Sequence, residues 1–338
     1  MKATMIGLDI AKSVFQVHIE GAGEAPVRKR LGRAAMERFF ATLPPAVIGI
    51  EACGTSHYWG RTLRALGHEV RLVPAAYVKP FVKRNKTDAR DAAAICEAMQ
   101  RPDMRLVAVK SVEQQAARGI ETARELLVKQ RTQLHNAMRA LMAEFGLVAA
   151  QGRRGLATLV AALDAGDGAL PAAVRPALGA LRDQAAALDA SIDALEAQIV
   201  ARAKADAVMR RLTTVPGIGA LGAHAIVAAI GLGHQFGSAR DFAAWAGLTP
   251  LEQQSANKRR KGGISRQGDP GVRRLLVLGA SAVMRQRRIK PERATEWQRG
   301  ILARRPVKVA VVAQAAKTAR IAWAMLRSGE NYREAPAA

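Results

Sequence analysis

The sequence has few cysteines, few aromatic side chains and few acidic residues, and each shortage excludes a class of function. Cys53 and Cys96 are far apart and the six histidines do not cluster, so we expect no structural zinc. Aromatic residues are only 4% of the chain, so stacking of bases on aromatic platforms should not dominate binding. Asp and Glu number 28 against 52 Lys and Arg in 338 residues, a net charge of +24. This charge indicates a polyanionic partner, and nucleic acid is the first candidate.

Long apolar runs are also scarce. No run reaches the roughly 18 residues of a membrane-spanning helix. Asp9 and Lys12 interrupt the first apolar stretch, which is therefore unlike a secretory signal. An anionic membrane surface is the weaker candidate partner, and we expect a cytoplasmic protein that does not bind membranes. The chain is long enough for two or three domains with cores of their own, and contacts from Lys and Arg to phosphates are the expected mode of binding.

Four acidic residues occupy positions typical of a metal-dependent phosphoryl-transfer enzyme. Asp9 and Glu51 each end a short apolar stretch that is predicted as a strand. Asp88 and Asp91 are three residues apart in a predicted helix, so their carboxylates share one helix face. Mg²⁺ prefers carboxylate oxygens and water, and acids without His or Cys suit it better than Zn²⁺. Two such ions, roughly 3.5–4 Å apart, relieve charge on the attacking and leaving oxygens of a phosphodiester.

Each acid alone has a simpler explanation. Asp88 could cap its helix, and Glu51 could cap the following turn. Asp91 could pair with Arg90 or Lys86 on the surface. Taken together, two strand ends and one helix face in a strongly basic chain favour a Mg²⁺ site that acts on nucleic acid.

The order of predicted elements indicates an α/β domain with a mixed sheet over residues 1–108. Strands are predicted over 4–9, 14–19, 47–51 and 69–73, and helices over 34–43, 58–66 and 87–95.

The next segment, 109–204, has two stretches with heptad spacing. The first seam is Ile120, Leu127, Leu134, Met138, Leu141 and Phe145, and the second is Leu181, Leu188, Ile192, Leu195 and Ile199. The stretch between them is rich in Ala, Gly and Pro and is predicted as a connection. The simplest interpretation is an antiparallel helical hairpin, a coiled-coil linker that could also form a dimer contact. Two amphipathic helices packed on their own domain fit the same spacing.

Residues 205–330 are predicted to be mainly helical and basic, with a tail over 331–338. The stretch 215–230 indicates a helix–hairpin–helix element whose backbone N–H groups could meet a phosphate, although glycine turns between helices are common. A polar, basic loop is predicted over 253–263. The candidate nucleic-acid-binding cations are Lys258, Arg259, Arg260 and Lys261 in this loop, Arg273 and Arg274 after it, and Lys83, Arg84 and Lys86 before the acidic helix.

Ser255 in the basic loop is a candidate nucleophile. A serine hydroxyl can attack phosphorus and hold a DNA end as a phosphoserine ester. The neighbouring cations would stabilise the developing charge. A loop serine that only helps to bind phosphate is the simpler alternative, and Ser238 and Ser265 compete for the catalytic role.

Several separate motifs occur in a characteristic order. They are IGLDIAK over 6–12, GIEACG over 49–54, NKTDARDA over 85–92, PGIG over 216–219, GGISRQGD over 262–269 and ARIAW over 319–323. With this set the chain resembles the transposases of insertion-sequence family 110, including the 1111 subgroup, which are related to Piv-type DNA invertases. The first three motifs resemble the family's RuvC-like domain, and the last three resemble its C-terminal transposase domain.

The resemblance implies an α/β RNase H-like (RuvC-like) domain with a mixed sheet, a helical coiled-coil linker and a mainly α C-terminal transposase domain. It implies a DEDD site for Mg²⁺ at Asp9, Glu51, Asp88 and Asp91. It also implies a serine nucleophile in the basic loop. Family members often have two adjacent serines followed by glycines there, whereas here the matching stretch 254–257 reads QSAN, so Ser255 is the matching serine.

The resemblance further implies partners. These are donor and target DNA and a structured noncoding guide RNA, or bridge RNA, which comes from the element's own end and pairs with both DNAs. Assembly as a homo-oligomer is implied too, as dimers and as tetramers built from two dimers. In these the serine of one subunit completes the acidic site of another.

The sequence thus predicts a recombinase or transposase that cleaves and exchanges DNA strands through a phosphoserine and a Holliday-junction-like intermediate. Three alternatives stay open. They are a site-specific invertase guided by protein contacts alone, a junction-resolving nuclease with water as the nucleophile, and a nucleic-acid-binding module without catalysis.

Overall fold

The computed structural model describes residues 4–21, 25–82, 88–255 and 258–333, with the side chains of residues 88, 89, 255, 258 and 259 outside this description. The chain divides into two compact units, Met1–Gln115 and Ala116–Ala338, called the N-terminal and C-terminal units below.

A five-stranded sheet organises the N-terminal unit. Its strands are β1 (Met5–Asp9), β2 (Val14–Glu20), β3 (Val27–Gly32), β4 (Val47–Ala52) and β5 (Glu69–Pro74), in the order β3-β2-β1-β4-β5. β1 and β2 pair antiparallel, as do β2 and β3, whereas β1 and β4 pair parallel, as do β4 and β5. The helices are α1 (Met36–Ala41), α2 (Ser56–Ala65), α3 (Ala75–Val78) and α4 (Asp88–Met99). The predicted mixed sheet is therefore confirmed.

Helices cover both faces of this sheet, because alternate residues of each strand point to opposite sides. On one side Ile6 and Leu8 of β1 pack with α1 and α2 around Phe40 and Leu63. On the other side α4 lies across the sheet, with Ile95 among the buried residues.

Strand β3 was not predicted from the sequence. Its residues VRKRLG are exposed at all but one position. An edge strand that meets solvent on both faces carries no alternation of apolar and polar residues, so its period cannot be read from the sequence.

The C-terminal unit is mainly helical. Its helices are α5 (Val112–Ala143, which begins just before the boundary), α6 (Arg153–Asp164), α7 (Arg175–Ala205), α8 (Ala207–Thr213), α9 (Ala220–Ile230), α10 (Ala239–Trp245), α11 (Pro270–Ile289), α12 (Glu296–Arg304) and α13 (Val307–Ser328). A two-stranded antiparallel sheet is formed by β6 (Pro250–Ser255) and β7 (Lys258–Ile264). The prediction of a loop over 253–263 is therefore wrong, because its described residues belong to the two strands of this hairpin.

Helices α5 and α7 run antiparallel, as the sequence predicted. Arg124 on α5 reaches Glu196 on α7, and Arg131 reaches Asp189, so residues further along one helix meet residues earlier on the other. The predicted connection between them contains the helix α6, which was not predicted from the sequence. Gly and Pro flank α6, whereas its interior is an amphipathic Ala- and Leu-rich stretch.

The two predicted heptad seams differ in burial. In α7, Leu188, Ile192 and Ile199 are buried as expected. In α5, Met138 is buried, but Leu141 is 39% exposed. The contacts of α5 with α7 include the Arg side chains described above, so this face of α5 is partly polar. Coiled-coil packing stays a prediction.

Helix α13 is long and apolar enough, by length and composition, to cross a membrane. The sequence analysis did not expect such a helix. In this unit α13 supplies Ala315, Ala319 and Ala322 to the main core, which is the role of a core helix in a globular domain.

Candidate active site

Two of the four predicted acids come from neighbouring strands. In the parallel pairing of β1 with β4, Leu8 is opposite Ile50. Asp9 and Glu51 are the next residues on each strand, so they occupy equivalent positions at the carboxyl ends. Adjacent strands lie about 4.8 Å apart, and equivalent residues of parallel strands point to the same face. The sheet therefore places Asp9 and Glu51 side by side, and both are half-buried.

Two glycines bring α4 onto the same face of the sheet. A Cβ atom on Gly7 would overlap the carbonyl oxygen of Ala92, and one on Gly49 would lie 2.6 Å from the Sδ atom of Met99. Gly7 lies two residues before Asp9, and Gly49 two before Glu51. Since residues i and i+2 share a strand face, the acids point to the side on which α4 lies.

The direction of α4 brings its first turn towards the acids. At its far end, Gln100 donates to Glu20 at 3.0 Å, and Glu20 pairs with Met5 at the amino end of β1. Ala92 lies over Gly7, closer to the carboxyl end. The helix therefore runs opposite to β1, and its amino end points to the carboxyl end of the strand.

This direction gives Asp91 its place. Asp91 lies on the first turn of α4 and is 9% exposed. Asp88 is the first residue of α4, one turn earlier on the same face, and its side chain lies outside the described part of the structure. Strand order and helix direction thus bring the three described acids to one end of the sheet.

Two of these acids affect the pKa of the nearby Cys53 thiol. Burial raises the pKa of the Cys53 thiol, and the charges of Glu51 and Asp9 raise it further. Both carboxylates therefore lie close enough to Cys53 to oppose the ionisation of its thiol.

The acids suit a hard divalent cation by chemistry, because all their donors are carboxylate oxygens. Among the described side chains, which omit that of Asp88, no three His, Cys, Asp or Glu residues converge closely enough to hold a metal ion. The fold thus gathers the acids at one edge without closing the described ones around a single point.

Ser255 ends β6 in the C-terminal unit. Its backbone pairs with Lys258 at the start of β7, so it lies at the end of the hairpin. The side chains of Ser255, Lys258 and Arg259 lie outside the described part, while Arg260 and Lys261 of β7 are exposed.

The two competing serines have local structural roles. The Oγ atom of Ser238 donates to Oδ2 of Asp241 at 2.8 Å and accepts from the backbone N–H of Asp241, which makes it the N-cap of α10. The Oγ atom of Ser265 accepts from the N–H of Gln267 at 3.5 Å. Both hydroxyls are therefore used in local turns and caps.

The other predicted nucleic-acid-binding cations divide into two groups. Arg273 donates to the carbonyl oxygens of Ala246 and Gln267, and Arg274 pairs with Glu125 at 2.6 Å. Both side chains thus have partners within the C-terminal unit. The predictions for Lys83, Arg84 and Lys86 fall on residues outside the described ranges.

The predicted helix–hairpin–helix element is present as α8 and α9 with a tight turn between them. Gly217 has a φ of +91°, and a Cβ atom on Gly279 of α11 would overlap the carbonyl oxygen of Gly217. The pairing of two glycines lets the hairpin touch α11 backbone to backbone. The glycine of the PGIG motif therefore has a packing role, which the sequence signal alone did not separate from phosphate binding.

Sequence reasoning also missed His57. Its Nδ1 atom accepts from the backbone N–H of Lys110 at 3.2 Å, and the Lys110 ammonium lies 3.1 Å from its Nε2 atom. Burial, followed by the charges of Lys110 and Arg61, lowers the pKa of His57 to about 4. This neutral ring fastens α2 to the segment before α5. The sequence did not predict this role, because no residue close to His57 in sequence indicates that its ring contacts Lys110.

The chain matches two models of known protein families. The family model DEDD_Tnp_IS110, described as a transposase, matches residues 6–146, and the model of the transposase IS116/IS110/IS902 family matches residues 209–297. The first match contains the predicted acids, and the second contains Ser255 and the hairpin.

Full-length relatives show the same family. A probable family 20 transposase of Pseudomonas aeruginosa is 46% identical, over 98% of this chain and 99% of that protein. The transposase for insertion sequence element IS1111A of Coxiella burnetii is 37% identical, over 97% of this chain and 91% of that protein. The transposase for insertion sequence element IS1328 of Yersinia enterocolitica is 36% identical, over 97% and 98%.

A DEDD transposase domain implies the RNase H-like fold, to which the mixed sheet and flanking helices of the N-terminal unit correspond. The chain matches both family models, and it aligns over nearly its whole length with relatives named as transposases. The chain therefore belongs to the IS110 family of insertion-sequence transposases.

Proposed function

We propose that this transposase cleaves DNA with a divalent-cation site formed by Asp9, Glu51, Asp88 and Asp91. Transposases with this domain typically use divalent metal ions, and Mg²⁺ is our choice because the donors are all carboxylate oxygens. The observation that carries the proposal is the pairing of β1 with β4 under α4. It brings Asp9, Glu51 and Asp91 to one end of the sheet.

The four carboxylates would position the scissile phosphate at the carboxyl edge of the sheet. A bound Mg²⁺ would supply charge relief for the attacking and leaving oxygens. The buried position of Asp91 fixes its carboxylate on a rigid helix, which limits the reorganisation needed during the reaction.

We further propose Ser255 as the nucleophile. Its Oγ atom would form a bond to phosphorus as the leaving oxygen of the DNA strand departs with a proton, which leaves a phosphoserine ester. A strand hydroxyl of the second DNA would then attack this ester and release the serine. The position of Ser255 at the end of a basic hairpin supports this role. Arg260 and Lys261 are exposed on the same hairpin, opposite Gln253 and Glu252.

The acidic site can be tested with isosteric variants. Asp9→Asn and Asp91→Asn should each lower strand cleavage by at least about a hundredfold while DNA binding survives, because charge stabilisation is lost without loss of shape. Asp103→Asn, an exposed acid of the same unit, is the matched control and should cleave normally. Normal cleavage by Asp9→Asn or Asp91→Asn in Mg²⁺ would overturn the assignment.

The serine needs a readout of its own. Labelled DNA on denaturing gels should show a covalent protein–DNA adduct with the wild type and with Ser265→Ala, and none with Ser255→Ala. If Ser255→Ala cleaves at the wild-type rate, water is the nucleophile and the protein acts as a junction-resolving nuclease.

We also propose that a structured guide RNA selects the DNA sites, in an assembly of dimers or of two dimers in the cytoplasm. The basic composition with few aromatic residues supports this proposal. Such a chain is suited to contacts with nucleic-acid phosphates, which carry no sequence information, more than to contacts with base edges. Base pairing would then supply the sequence choice.

The guide is tested by RNase treatment of the purified complex, followed by recombination between donor and target plasmids. Loss of recombination, with one discrete RNA encoded beside the gene, is the expected result. Undiminished recombination together with a random RNA mixture would contradict the guide RNA. It would favour the alternative of a site-specific invertase guided by protein contacts alone. Cleavage-deficient variants that keep full biological function would instead favour a binding module.

A further inference from the structure

A cavity of about 310 Å³ lies in the C-terminal unit between α11, α12, α13 and the residues that follow α13. Its size is at the lower end of the range for small-molecule sites, about 300–1,000 Å³, and suits one nucleotide. It lies beside the hairpin between α8 and α9, since Val215 and Pro216 form part of its wall. Among the described residues that line it are none of the predicted catalytic residues and none of the candidate nucleic-acid-binding Lys and Arg side chains.

A chain of buried polar side chains forms one wall of this cavity. The Nε2 atom of Gln298 donates to Oε1 of Gln314 at 3.0 Å, and Nε2 of Gln314 donates to Oγ1 of Thr318 at 3.1 Å. The Oε1 atom of Gln298 accepts from the backbone N–H of Thr295 at 3.1 Å. Gln298 and Gln314 are 6% exposed and Thr318 is 1% exposed. This wall is therefore built and ordered, unlike a set of surface side chains.

The direction of these bonds decides what the wall offers. Both amide oxygens already accept a hydrogen bond, whereas each amide nitrogen carries two hydrogens and donates one of them within the chain. The hydrogens that remain are donors. Each amide oxygen also keeps a second lone pair, so this wall can pair with a ligand that presents both acceptors and donors, as the edge of a nucleobase does.

Cations and an apolar surface complete the lining. Arg287, Lys317 and Arg333 line the cavity with a single carboxylate, that of Glu330. The Lys317 ammonium lies 4.5 Å from the centre of the Trp297 ring, which fixes the direction of this side chain. Ile321 and Met325, further along α13, add apolar surface to the lining. A nucleotide matches this lining, because the cations suit its phosphate, the amide groups suit the edge of its base and the apolar surface suits its ring.

We infer that this cavity takes one unstacked nucleotide of a single-stranded nucleic acid. Its phosphate contacts the cations, and its base contacts the glutamine chain and the apolar side chains of α13. The inference rests on the family's action on DNA and not on the acidic site or the serine. Strand exchange exposes single strands, and an unstacked base has free edges and faces that a duplex hides. Holding one nucleotide would fix the register of a strand while another part of the protein acts on it.

The test measures binding of labelled single-stranded tetranucleotides to the full chain, so that cleavage plays no part. Ala324→Phe fills the cavity from an exposed lining position and keeps every charge. It should weaken binding at least about fivefold, the lower range for one base contact. Lys317→Ala should also weaken binding and reduce the slope of log K against log salt by about 0.7. Lys308→Ala, an exposed lysine of the same helix outside the cavity, is the matched control and should bind as the wild type.

Photo-crosslinking locates the base directly. A tetranucleotide that carries a 4-thio pyrimidine should crosslink to the peptides of α12 and α13 in the wild type and much less in Ala324→Phe. DNA and RNA versions identify the strand that the cavity prefers. If Ala324→Phe and Lys317→Ala bind both versions with wild-type affinity, or if crosslinks lie elsewhere, the glutamine chain only fastens α12 to α13 and the inference is wrong.

Discussion

The Nε2 atom of His224 on α9 lies 4.0 Å from Oε1 of Glu121 on α5, inside the C-terminal unit. His224 has no exposed surface and Glu121 is 8% exposed. Burial raises the pKa of Glu121 to about 7, against the opposing effect of Arg118, which contacts it at 2.6 Å. Burial also lowers the pKa of His224 to about 4, and the charges of Arg202 and Arg118 act in the same direction. The fold therefore disfavours charge on both side chains.

A prediction for the pH dependence of stability follows from Glu121. Its pKa is raised on folding, so its contribution is fully present below pH 4.5 and is lost as pH rises through about 7. Glu121→Gln removes this titration, so the variant should gain about 2–3 kcal/mol over the wild type between pH 5 and pH 8. His224 acts in the opposite direction, with its contribution lost as pH falls from 6.5 towards 4, but it is present in both proteins and cancels.

Urea unfolding at pH 5 and pH 8 measures this difference. Glu144→Gln, on the exposed segment that follows α5, is the control and should follow the wild type at both pH values. A constant difference between Glu121→Gln and the wild type at both pH values would contradict the raised pKa.

The second prediction concerns the approach of α4 to the sheet. Gly7→Ala places a Cβ atom on the carbonyl oxygen of Ala92, which is backbone and has no rotamer to adjust. The helix must shift, at a cost of about 1–3 kcal/mol of stability. Because α4 carries Asp91, the shift should also reduce DNA cleavage.

Gly32→Ala is the matched control for this prediction. It lies at the end of β3, with nothing within 4 Å of the added Cβ atom. Thermal unfolding and cleavage rates should place it close to the wild type. Equal behaviour of Gly7→Ala and Gly32→Ala would show that α4 does not depend on the close approach.

The sheet and its acids could be predicted because their signals are local. Asp9 and Glu51 end apolar strands, and a spacing of three puts Asp88 and Asp91 on one helix face. The role of Gly7 and Gly49 could not be predicted in this way. These glycines allow α4 to approach the sheet, and the atoms that they make room for belong to a helix distant in sequence. The direction of a helix and the face of the sheet that it covers depend on such long-range contacts, so the local sequence does not predict them.

The heptad pattern of α5 shows a second limit. Leucines at heptad spacing predicted an apolar seam, but Arg124 and Arg131 contact α7, while Leu141 is 39% exposed. Long Arg side chains can bury their stems and still reach a carboxylate, so polarity alone did not mark the packed face.

The third prediction tests the pairing of α5 with α7. The Nε atom of Arg124 donates to Oε1 of Glu196 at 2.8 Å, and its second guanidinium nitrogen also contacts this oxygen. A double-mutant cycle with Arg124→Ala and Glu196→Ala should give a coupling energy of about 0.5–1 kcal/mol, because Glu196 is partly exposed. The cycle of Arg124→Ala with Asp193→Ala, an exposed acid one turn earlier on α7, should give a value near zero. Equal coupling in both cycles would mean a different register of the two helices.

The last prediction separates structural from DNA-binding arginines around the basic hairpin. Arg273 donates to the carbonyl oxygens of Ala246 at 3.1 Å and Gln267 at 2.6 Å. These carbonyls flank the turn at Gly247, where φ is +70°. Arg273→Ala leaves them without their charged donor, so it should cost about 2 kcal/mol of stability. Arg260 of β7 is exposed, and Arg260→Ala should change stability by less than about 0.5 kcal/mol.

DNA binding should show the reverse order for these two variants. If Arg260 contacts a phosphate, Arg260→Ala should reduce the slope of log K against log salt by about 0.9 for duplex DNA. Arg273→Ala, measured below its unfolding temperature, should keep the wild-type slope, because its guanidinium is already engaged by backbone oxygens. Both variants remove one guanidinium, so the loss of charge is matched and only the site differs. A lower slope for Arg273→Ala with unchanged stability would return this side chain to the DNA interface, as the sequence predicted.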